Sequence, residues 1–93
     1  MIQGFRDRRT LHFFEGRNVR AFQGFAEQAT RRLTVLDSAV SLRDLAVLPS
    51  NRLELLSGDR AGQYSIRISR QWRICFRWGD NGPFDVEIVD YHR

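Results

Sequence analysis

The spacing of the apolar residues changes once along the chain, and this change constrains the fold more than any other feature. Between residues 20 and 38 the apolar residues recur every three or four positions, the period of an amphipathic helix. After the break at Leu48-Pro49-Ser50-Asn51 they recur every second position, the period of strands with one buried face. A helical half followed by a strand half predicts an α+β layer rather than alternating strand–helix–strand units.

The first half of the chain predicts two helices. One is predicted over Arg6–Glu15 and the longer one over Arg20–Ser38, where Arg31 and Arg32 fall on the face opposite the apolar stripe. That opposite face is predicted to be solvated. The remaining elements predicted in this half are a short edge strand over Met1–Phe5 and a helical turn over Ser41–Leu45.

The second half predicts an antiparallel sheet of three or four strands joined by short turns, among them a hairpin loop over Gly79–Pro83. The two N-terminal helices are expected to pack on one face of this sheet, within a single domain of residues 1–93. The other face is then predicted to be open to water. The strands are predicted over Arg52–Leu56, Gln63–Ser69, Gln71–Trp78 and Phe84–Tyr91.

Strand alternation places two arginines, Arg67 and Arg73, on the predicted open face of neighbouring strands. Cross-strand neighbours lie only about 5 Å apart, and diagonal ones about 7–8 Å. Two guanidinium groups at that separation repel each other unless an anion lies between them. Periodicity leaves two alternatives open: nearby Asp or Glu side chains neutralise the arginines, or a bound phosphate does.

The charge balance favours an anionic partner. The chain carries a formal net charge of +4, and all 15 basic residues are arginine, which grips phosphate with two parallel hydrogen bonds. A GC-rich genome explains the absence of lysine equally well, so only the net basicity is informative.

The single cysteine, Cys75, allows no internal disulfide and is expected to be an inert strand residue. With no signal peptide or membrane span in the sequence, a cytoplasmic location is expected.

Several short motifs follow one another in a fixed order in the second half. They are Asn51-Arg52-Leu53-Glu54, Gly58-Asp59, Ser65-Ile66-Arg67, Trp72-Arg73-Ile74 and Asp90-Tyr91-His92. In this order they resemble the HigB-type toxins of the RelE/ParE superfamily, and among those the GraT branch most.

The resemblance implies a microbial RNase fold whose curved sheet faces the substrate. It also implies an activity, the cleavage of mRNA in the ribosomal A site during translation. Its implied partners are the ribosome, the mRNA and a helix-turn-helix antitoxin encoded beside the toxin. That antitoxin neutralises the toxin and represses the operon, so operator DNA is expected to be contacted only through the antitoxin complex.

The candidate catalytic residues follow from what RNA cleavage requires. Arg67 and Arg73 are candidates for binding the phosphate and its transition state, and His92 is the candidate acid or base. Asp90, two residues before His92 on the same strand face, is predicted to orient or charge-stabilise the imidazole. Tyr91 is predicted to point the other way in a regular strand, or to stack on a base if the end of the strand frays. Composition alone would make His92 an exposed tail residue, whereas the resemblance makes it catalytic.

Two positions depart from many HigB-type toxins, which have a histidine at Glu54 and a lysine at Ser57. Glu54 is a candidate general base if it is buried, because burial favours its protonated form and so makes the carboxylate a stronger base. A neighbouring Arg67 or Arg73 would have the opposite effect, because it favours the charged carboxylate. The loss of a general base costs about 10²–10⁴-fold in rate, so a weak nuclease is predicted. With two histidines in the chain and no metal-ligand spacing, neither a metal nor a cofactor is predicted.

Two other classes of function compete with the nuclease. One is a non-catalytic inhibitor that binds a protein such as DNA gyrase, as ParE-like relatives do. The other is a small RNA- or ribosome-binding module that does not cut. Asp90, Tyr91 and His92 together with Arg67 and Arg73 favour the nuclease, since a pure binder has no need to hold these groups on one face.

Overall fold

The computed structural model describes residues 1–91 and has helices on one face of an antiparallel sheet. The predicted α+β class is thus confirmed, with four strands in the order β1-β2-β3-β4. Among residues 1–91, no helix combines the length and the apolar character that a membrane span requires. The elements are α1 (Arg8–Phe14), a 3-10 helix (Arg20–Phe25), α2 (Ala26–Ser38), α3 (Leu42–Ala46), a 3-10 turn (Pro49–Asn51), β1 (Glu54–Leu55), a 3-10 turn (Gly58–Arg60), β2 (Tyr64–Arg67), β3 (Trp72–Gly79) and β4 (Gly82–Asp90).

The core lies between the helices and the sheet. Most of the apolar residues predicted for the helical stripe and for the inward face of the strands meet there as buried side chains, whereas Tyr64, Trp72 and Trp78 pack against this cluster half-buried. Burial of each large apolar side chain contributes about 1.5–3 kcal/mol, so this layer is the main source of stability. Its largest members are Phe22, Leu33, Leu36, Leu45, Ile66, Ile74, Phe76 and Ile88.

The predicted helix over Arg20–Ser38 forms in two parts. Its first six residues are a 3-10 helix, and the α-helix starts only at Ala26. In the 3-10 part the amide of Phe22 donates to the carbonyl of Val19 three residues back. The tighter turn brings Phe22 and Phe25 into contact, with ring centroids 5.7 Å apart, and both rings are buried. Dense aromatic packing therefore accompanies the departure from regular α geometry.

The N-terminal segment is not the regular edge strand that its alternation predicts. It makes one isolated parallel bridge, between Phe5 and Val86, and runs along the outer edge of β4. The amide of Gln3 donates to the carbonyl of Pro83 at 2.8 Å, and the amide of Arg6 donates to that of Val86 at 2.9 Å. A left-handed residue, Asp85 (φ 51°), disturbs the β3–β4 register beside this segment. A bulge of this kind bends the strand and interrupts regular pairing.

The second face of the sheet is partly covered, contrary to the prediction that it is open to water. Leu56 lies over it and forms a small buried cluster with Cys75 and Val89. The reason is the shortness of β1: the chain leaves the sheet after Leu55 and folds back across it through the turn at Gly58–Arg60. Water therefore reaches only part of this face.

Candidate functional site

An open cleft of about 340 Å³ lies where β1, β2 and β3 meet the end of β4. Four guanidinium groups and one carboxylate line it, so the cleft has a net positive charge. Arg67 ends β2, Arg73 lies in β3 and Tyr91 directly follows β4. Of the other three, one precedes β1, one is the first residue of β1 and one lies in the β2–β3 connection. The lining residues are Arg52, Glu54, Arg67, Arg70, Arg73 and Tyr91.

Arg73 is the most firmly held residue of the cleft. It is only 7% exposed, and its Nε donates to Ser65 Oγ at 2.7 Å. Its Nη2 donates to the carbonyl of Arg52 at 2.6 Å and lies 3.7 Å from a carboxylate oxygen of Glu54. The guanidinium carbon also lies 5.8 Å from the centre of the Tyr91 ring, a cation–π distance. Four neighbours therefore fix the orientation of one positive charge.

Arg67 lies directly opposite Arg73 in the β2–β3 register, which confirms that the two arginines are cross-strand neighbours. It is half-buried, and its Nε donates to the carbonyl of Ser69 at 3.2 Å. Among residues 1–91 the ion pairs do not include Arg67, whereas Arg73 pairs with Glu54. The first of the two alternatives, neutralisation by a carboxylate, therefore applies to Arg73.

Glu54 enters the cleft because β1 pairs with β2. It lies opposite Ser65, which puts its side chain on the same face as Ser65 and Arg73. The carboxylate is partly exposed, with 36% of its side-chain surface accessible. Glu54 is thus both an ion-pair partner of Arg73 and a carboxylate that a molecule in the cleft can reach.

The end of β4 is oriented differently from the sequence prediction. Because Arg73 pairs with Val89 and Trp72 pairs with Asp90, the side chain of Asp90 falls on the face of Trp72, away from the arginines. Its carboxylate accepts a hydrogen bond from Gln71 Nε2 at 2.9 Å, and it does not line the cleft. Tyr91, predicted to point away, is the residue that enters the cleft. Because Val86 and Ile88 face inward, alternation along β4 already puts Asp90 on the inward face and Tyr91 on the other. The apolar residue Val89 obscured this pattern in the sequence.

His92, the predicted acid or base, lies outside the described residues. Two cleft arginines, Arg52 and Arg70, were missed by the sequence analysis. Arg70 lies in the β2–β3 connection, where strand alternation says nothing about direction. Arg52 has left-handed backbone torsions (φ 46°, ψ 53°), which a run of strand-like residues does not predict. The available signal was the density of arginines around Arg67 and Arg73 in the sequence.

Cys75 lies in β3 and faces away from the main core, in the small cluster with Leu56 and Val89, so the prediction of a strand residue is confirmed. It is fully buried, and this burial raises the pKa of its thiol, against the smaller lowering effect of nearby Arg60. A protonated, enclosed thiol is a poor nucleophile. Within residues 1–91 no cluster of three potential metal ligands occurs.

The cleft has the chemistry of a phosphate-binding site. Guanidinium groups form short, charge-assisted hydrogen bonds to phosphate oxygens, and the rigid support of Arg73 removes most of the cost of orienting it. The neighbouring Tyr91 ring offers a surface on which a base can stack. A carboxylate beside them can accept a proton.

Comparison with solved structures shows that the fold is that of RelE-like toxins. Chains from two structures of the YoeB–YefM toxin–antitoxin complex of Staphylococcus aureus superpose with TM-scores of 0.58 and 0.59. Each is 16% identical in sequence, and each match covers 100% of this chain and 99% of the other. At this identity the likeness establishes the fold alone.

Sequence comparison specifies the family. A family model described as the RelE-like toxin of type II toxin-antitoxin system HigB matches residues 3–92. Toxin HigB-1 of Vibrio cholerae is 37% identical over 95 residues, covering 100% of this chain and 99% of that protein. Endoribonuclease HigB of Proteus vulgaris is 33% identical over 61 residues, covering 66% of this chain and 65% of that protein. The chain therefore belongs to the HigB family of RelE-like toxins of type II toxin–antitoxin systems.

Proposed function

We propose that the protein is a ribosome-dependent endoribonuclease that cleaves mRNA in the A site without a metal ion, and that the arginine cleft is its active site. The observation that carries the proposal is the convergence of four arginines, one carboxylate and one tyrosine on a single cleft. The name of the Proteus vulgaris relative, an endoribonuclease, supports the same reaction class. Because ribosomes and mRNA meet in the cytoplasm, the proposal includes that location.

In the proposed reaction the ribose 2′-oxygen attacks the adjacent phosphorus, and the bond from phosphorus to the 5′-oxygen breaks. The products are a 2′,3′-cyclic phosphate on the upstream fragment and a 5′-hydroxyl on the downstream fragment. Arg67 and Arg73 stabilise the negative charge that accumulates on the phosphoryl oxygens. Loss of one such donor typically costs about 10²–10³ in rate.

Two proton transfers complete the reaction. Glu54 accepts the proton of the 2′-hydroxyl, for which its partly exposed carboxylate is placed beside the charged centre. His92 donates a proton to the departing 5′-oxygen. Tyr91 stacks on the base next to the cut and keeps the nucleotide in line. The carboxylate of Asp90 lies on the other side of the strand from the arginines and accepts a hydrogen bond from Gln71, so it does not touch the phosphate; that it orients His92 stays a prediction.

The ribosome supplies alignment that this small cleft does not supply alone. The cleft is open to solvent, so a flexible RNA loses much conformational entropy when it reaches an in-line geometry there. An mRNA held in the decoding site has already lost that freedom. The resemblance implies a histidine at the position of Glu54 in many HigB-type toxins, and a carboxylate is in general a weaker base than a neutral imidazole. The expected activity is therefore low, and lower still on free RNA.

The proposal also includes the antitoxin. Membership in a toxin family of type II systems implies a cognate antitoxin protein. We propose that it is a helix-turn-helix protein, that it neutralises this chain, and that operator DNA is contacted only through their complex.

Primer-extension mapping of an mRNA in a translating extract tests the function. Purified wild-type protein is compared with His92→Ala and Arg67→Ala, and with Arg43→Ala as a charge-matched control on the exposed surface of α3. Codon-phased cuts are expected for the wild type and the control, and the cuts are expected to disappear in His92→Ala, in Arg67→Ala and without ribosomes. The downstream fragments are expected to carry 5′-hydroxyl ends.

Two results would contradict the proposal. Downstream fragments with 5′-phosphate ends would mean attack by water rather than by the 2′-hydroxyl. Growth inhibition without any cut, unchanged in His92→Ala, would instead favour a binder of a protein target such as DNA gyrase.

A further inference from the structure

A buried asparagine joins helices α2 and α3 to the wall of the cleft. Asn51 is fully buried, and its Oδ1 accepts a 2.6 Å hydrogen bond from Nη1 of Arg32 on α2. Its Nδ2 donates to the carbonyl of Leu45 on α3 at 3.0 Å. Both ends of the amide are therefore satisfied, so the residue is locked in one orientation. Arg32, predicted to lie on a solvated face, is half-buried for this reason, whereas its neighbour Arg31 is exposed.

The residue after Asn51 depends on this anchor. Arg52 has left-handed torsions, φ 46° and ψ 53°, which cost a residue other than glycine about 1–2 kcal/mol. Such a conformation persists only where the surroundings impose it. The left-handed turn directs the carbonyl of Arg52 to Nη2 of Arg73, at 2.6 Å.

The sheet alone holds this part of the cleft weakly. β1 consists only of Glu54 and Leu55, and its register with β2 comprises two residue pairs. So short a pairing fixes neither the turn at Arg52 nor the position of the carboxylate two residues later. Two further contacts hold this segment: Leu53 packs against the core, and Asn51, which ends the 3-10 turn Pro49–Asn51, anchors the residue just before the turn at Arg52.

We propose that Asn51 and Arg32 are positioning residues of the cleft. Through the turn at Arg52 they orient the guanidinium of Arg73 and the carboxylate of Glu54, although neither of them lines the cleft. The consequence for catalysis rests on the proposed nuclease function, but the orientation of Arg73 does not. A positioning role predicts a slower chemical step with little change in binding.

The test compares two adjacent arginines of α2. Arg32→Met removes the donor to Asn51 and keeps an unbranched side chain. Arg31→Met removes the same charge from an exposed position that pairs with Glu27 on the surface. Arg32→Lys keeps a cationic donor and serves as the conservative variant. Arg32 is itself only half-buried, so these variants are expected to fold, which thermal unfolding checks.

The first readout is single-turnover cleavage on ribosomes, measured well below the unfolding temperature. Arg32→Met is expected to lower the maximal rate about tenfold with KM changed less than about twofold, because misplacement of a charge donor by a fraction of an ångström affects the chemical step. Arg32→Lys is expected to recover most of that loss, and Arg31→Met to match the wild type. A merely structural role would leave the rate per folded molecule unchanged.

The second readout does not depend on nuclease activity. In ¹⁵N spectra of the free protein, the guanidinium of Arg73 is expected to give a sharp, slowly exchanging Nε–H signal, because it is buried and bonded to Ser65 Oγ. Arg32→Met is expected to broaden this signal and to speed its exchange with water, and Arg31→Met is expected to leave it unchanged.

The two readouts separate the inference from the proposed function. Loss of the Arg73 signal in Arg32→Met alone supports the positioning role even if the wild type cuts no RNA, in which case only the proposed function fails. An unchanged Arg73 signal in Arg32→Met overturns the inference, as does equal cleavage by Arg32→Met and Arg31→Met with an active wild type.

Discussion

Replacing each of the two paired arginines by alanine is expected to separate structural from chemical roles. Arg73→Ala removes two short hydrogen bonds from a charged donor, to Ser65 Oγ and to the carbonyl of Arg52, in a place that water hardly reaches. Hydrogen bonds of charged groups contribute about 1.5–3 kcal/mol each, and the desolvation cost of the guanidinium offsets part of this. The expected loss of unfolding free energy is about 2–4 kcal/mol.

Arg67→Ala is the matched comparison, since Arg67 lies directly opposite Arg73 on the neighbouring strand. It is half-buried, and within residues 1–91 its one side-chain hydrogen bond, at 3.2 Å, goes to the carbonyl of Ser69, which water can satisfy in its absence. Its removal also relieves repulsion between the two guanidinium groups. The expected loss is about 0.5–1 kcal/mol or less.

Urea denaturation followed by the fluorescence of Trp72 and Trp78 measures the difference. A gap of about 2 kcal/mol between the variants corresponds to about 8–16 °C in Tm for a domain of this size. Arg73→Ala is expected to unfold first by that margin. Equal midpoints for the two variants would refute the reasoning, because they would mean that the buried contacts of Arg73 contribute no more than the exposed contact of Arg67.

Three further predictions concern reactivity, backbone strain and RNA binding. Because burial raises the pKa of the Cys75 thiol, the native protein is expected to react slowly with iodoacetamide near pH 8 and rapidly in urea, and equal alkylation rates in the two states would contradict this. The free energy of unfolding is also expected to fall as pH rises above about 8.5, the usual pKa of a free thiol, because only the unfolded state then loses the proton. Gly82→Ala is expected to lower the unfolding free energy by about 1–3 kcal/mol, since Gly82 has a φ of 119° and an added Cβ would lie 2.9 Å from a backbone oxygen. In the control Gly24→Ala the added Cβ meets no atom within 4 Å, and equal urea midpoints for the two variants would contradict the prediction. Arg70→Ala is expected to make the dependence of RNA binding on salt less steep: the negative slope of log association constant against log salt concentration for single-stranded RNA shrinks by about 0.7 in fluorescence anisotropy titrations. An identical change in Arg43→Ala would assign the effect to net charge rather than to the cleft.

The fold was predictable because its two halves have different periods. The apolar stripe over residues 20–38 and the alternation at Ile66, Ile74 and Ile88 define which faces meet, and the structure buries these residues together. The irregular features were not predictable in the same way. The 3-10 start of the long helix depends on contacts between aromatic rings, and the N-terminal segment depends on a bulge in β4. Neither leaves a periodic trace.

The candidate site was predictable in part. Arg67 and Arg73 follow from strand alternation, and Glu54 follows from its place in the motif that begins at Asn51. Alternation also predicted that these groups face water, but Arg73 is buried by contacts with Arg52 and Glu54 at the start of β1. Such contacts between distant parts of the chain cannot be deduced from the period of one strand. The exchange of roles between Asp90 and Tyr91 depends on register at the last residues of β4, where a single position decides the face.

The rate of mRNA cleavage on purified ribosomes, with Arg67→Ala compared directly with Arg43→Ala, tests the central claim most directly. Both variants lose one arginine and hence the same net charge, but only Arg67 lines the cleft. The proposed site predicts a loss of about 10²–10³ in rate for Arg67→Ala and wild-type cleavage for Arg43→Ala. Equal rates in the two variants would show that the arginine cleft is not where the phosphate of the mRNA is cut.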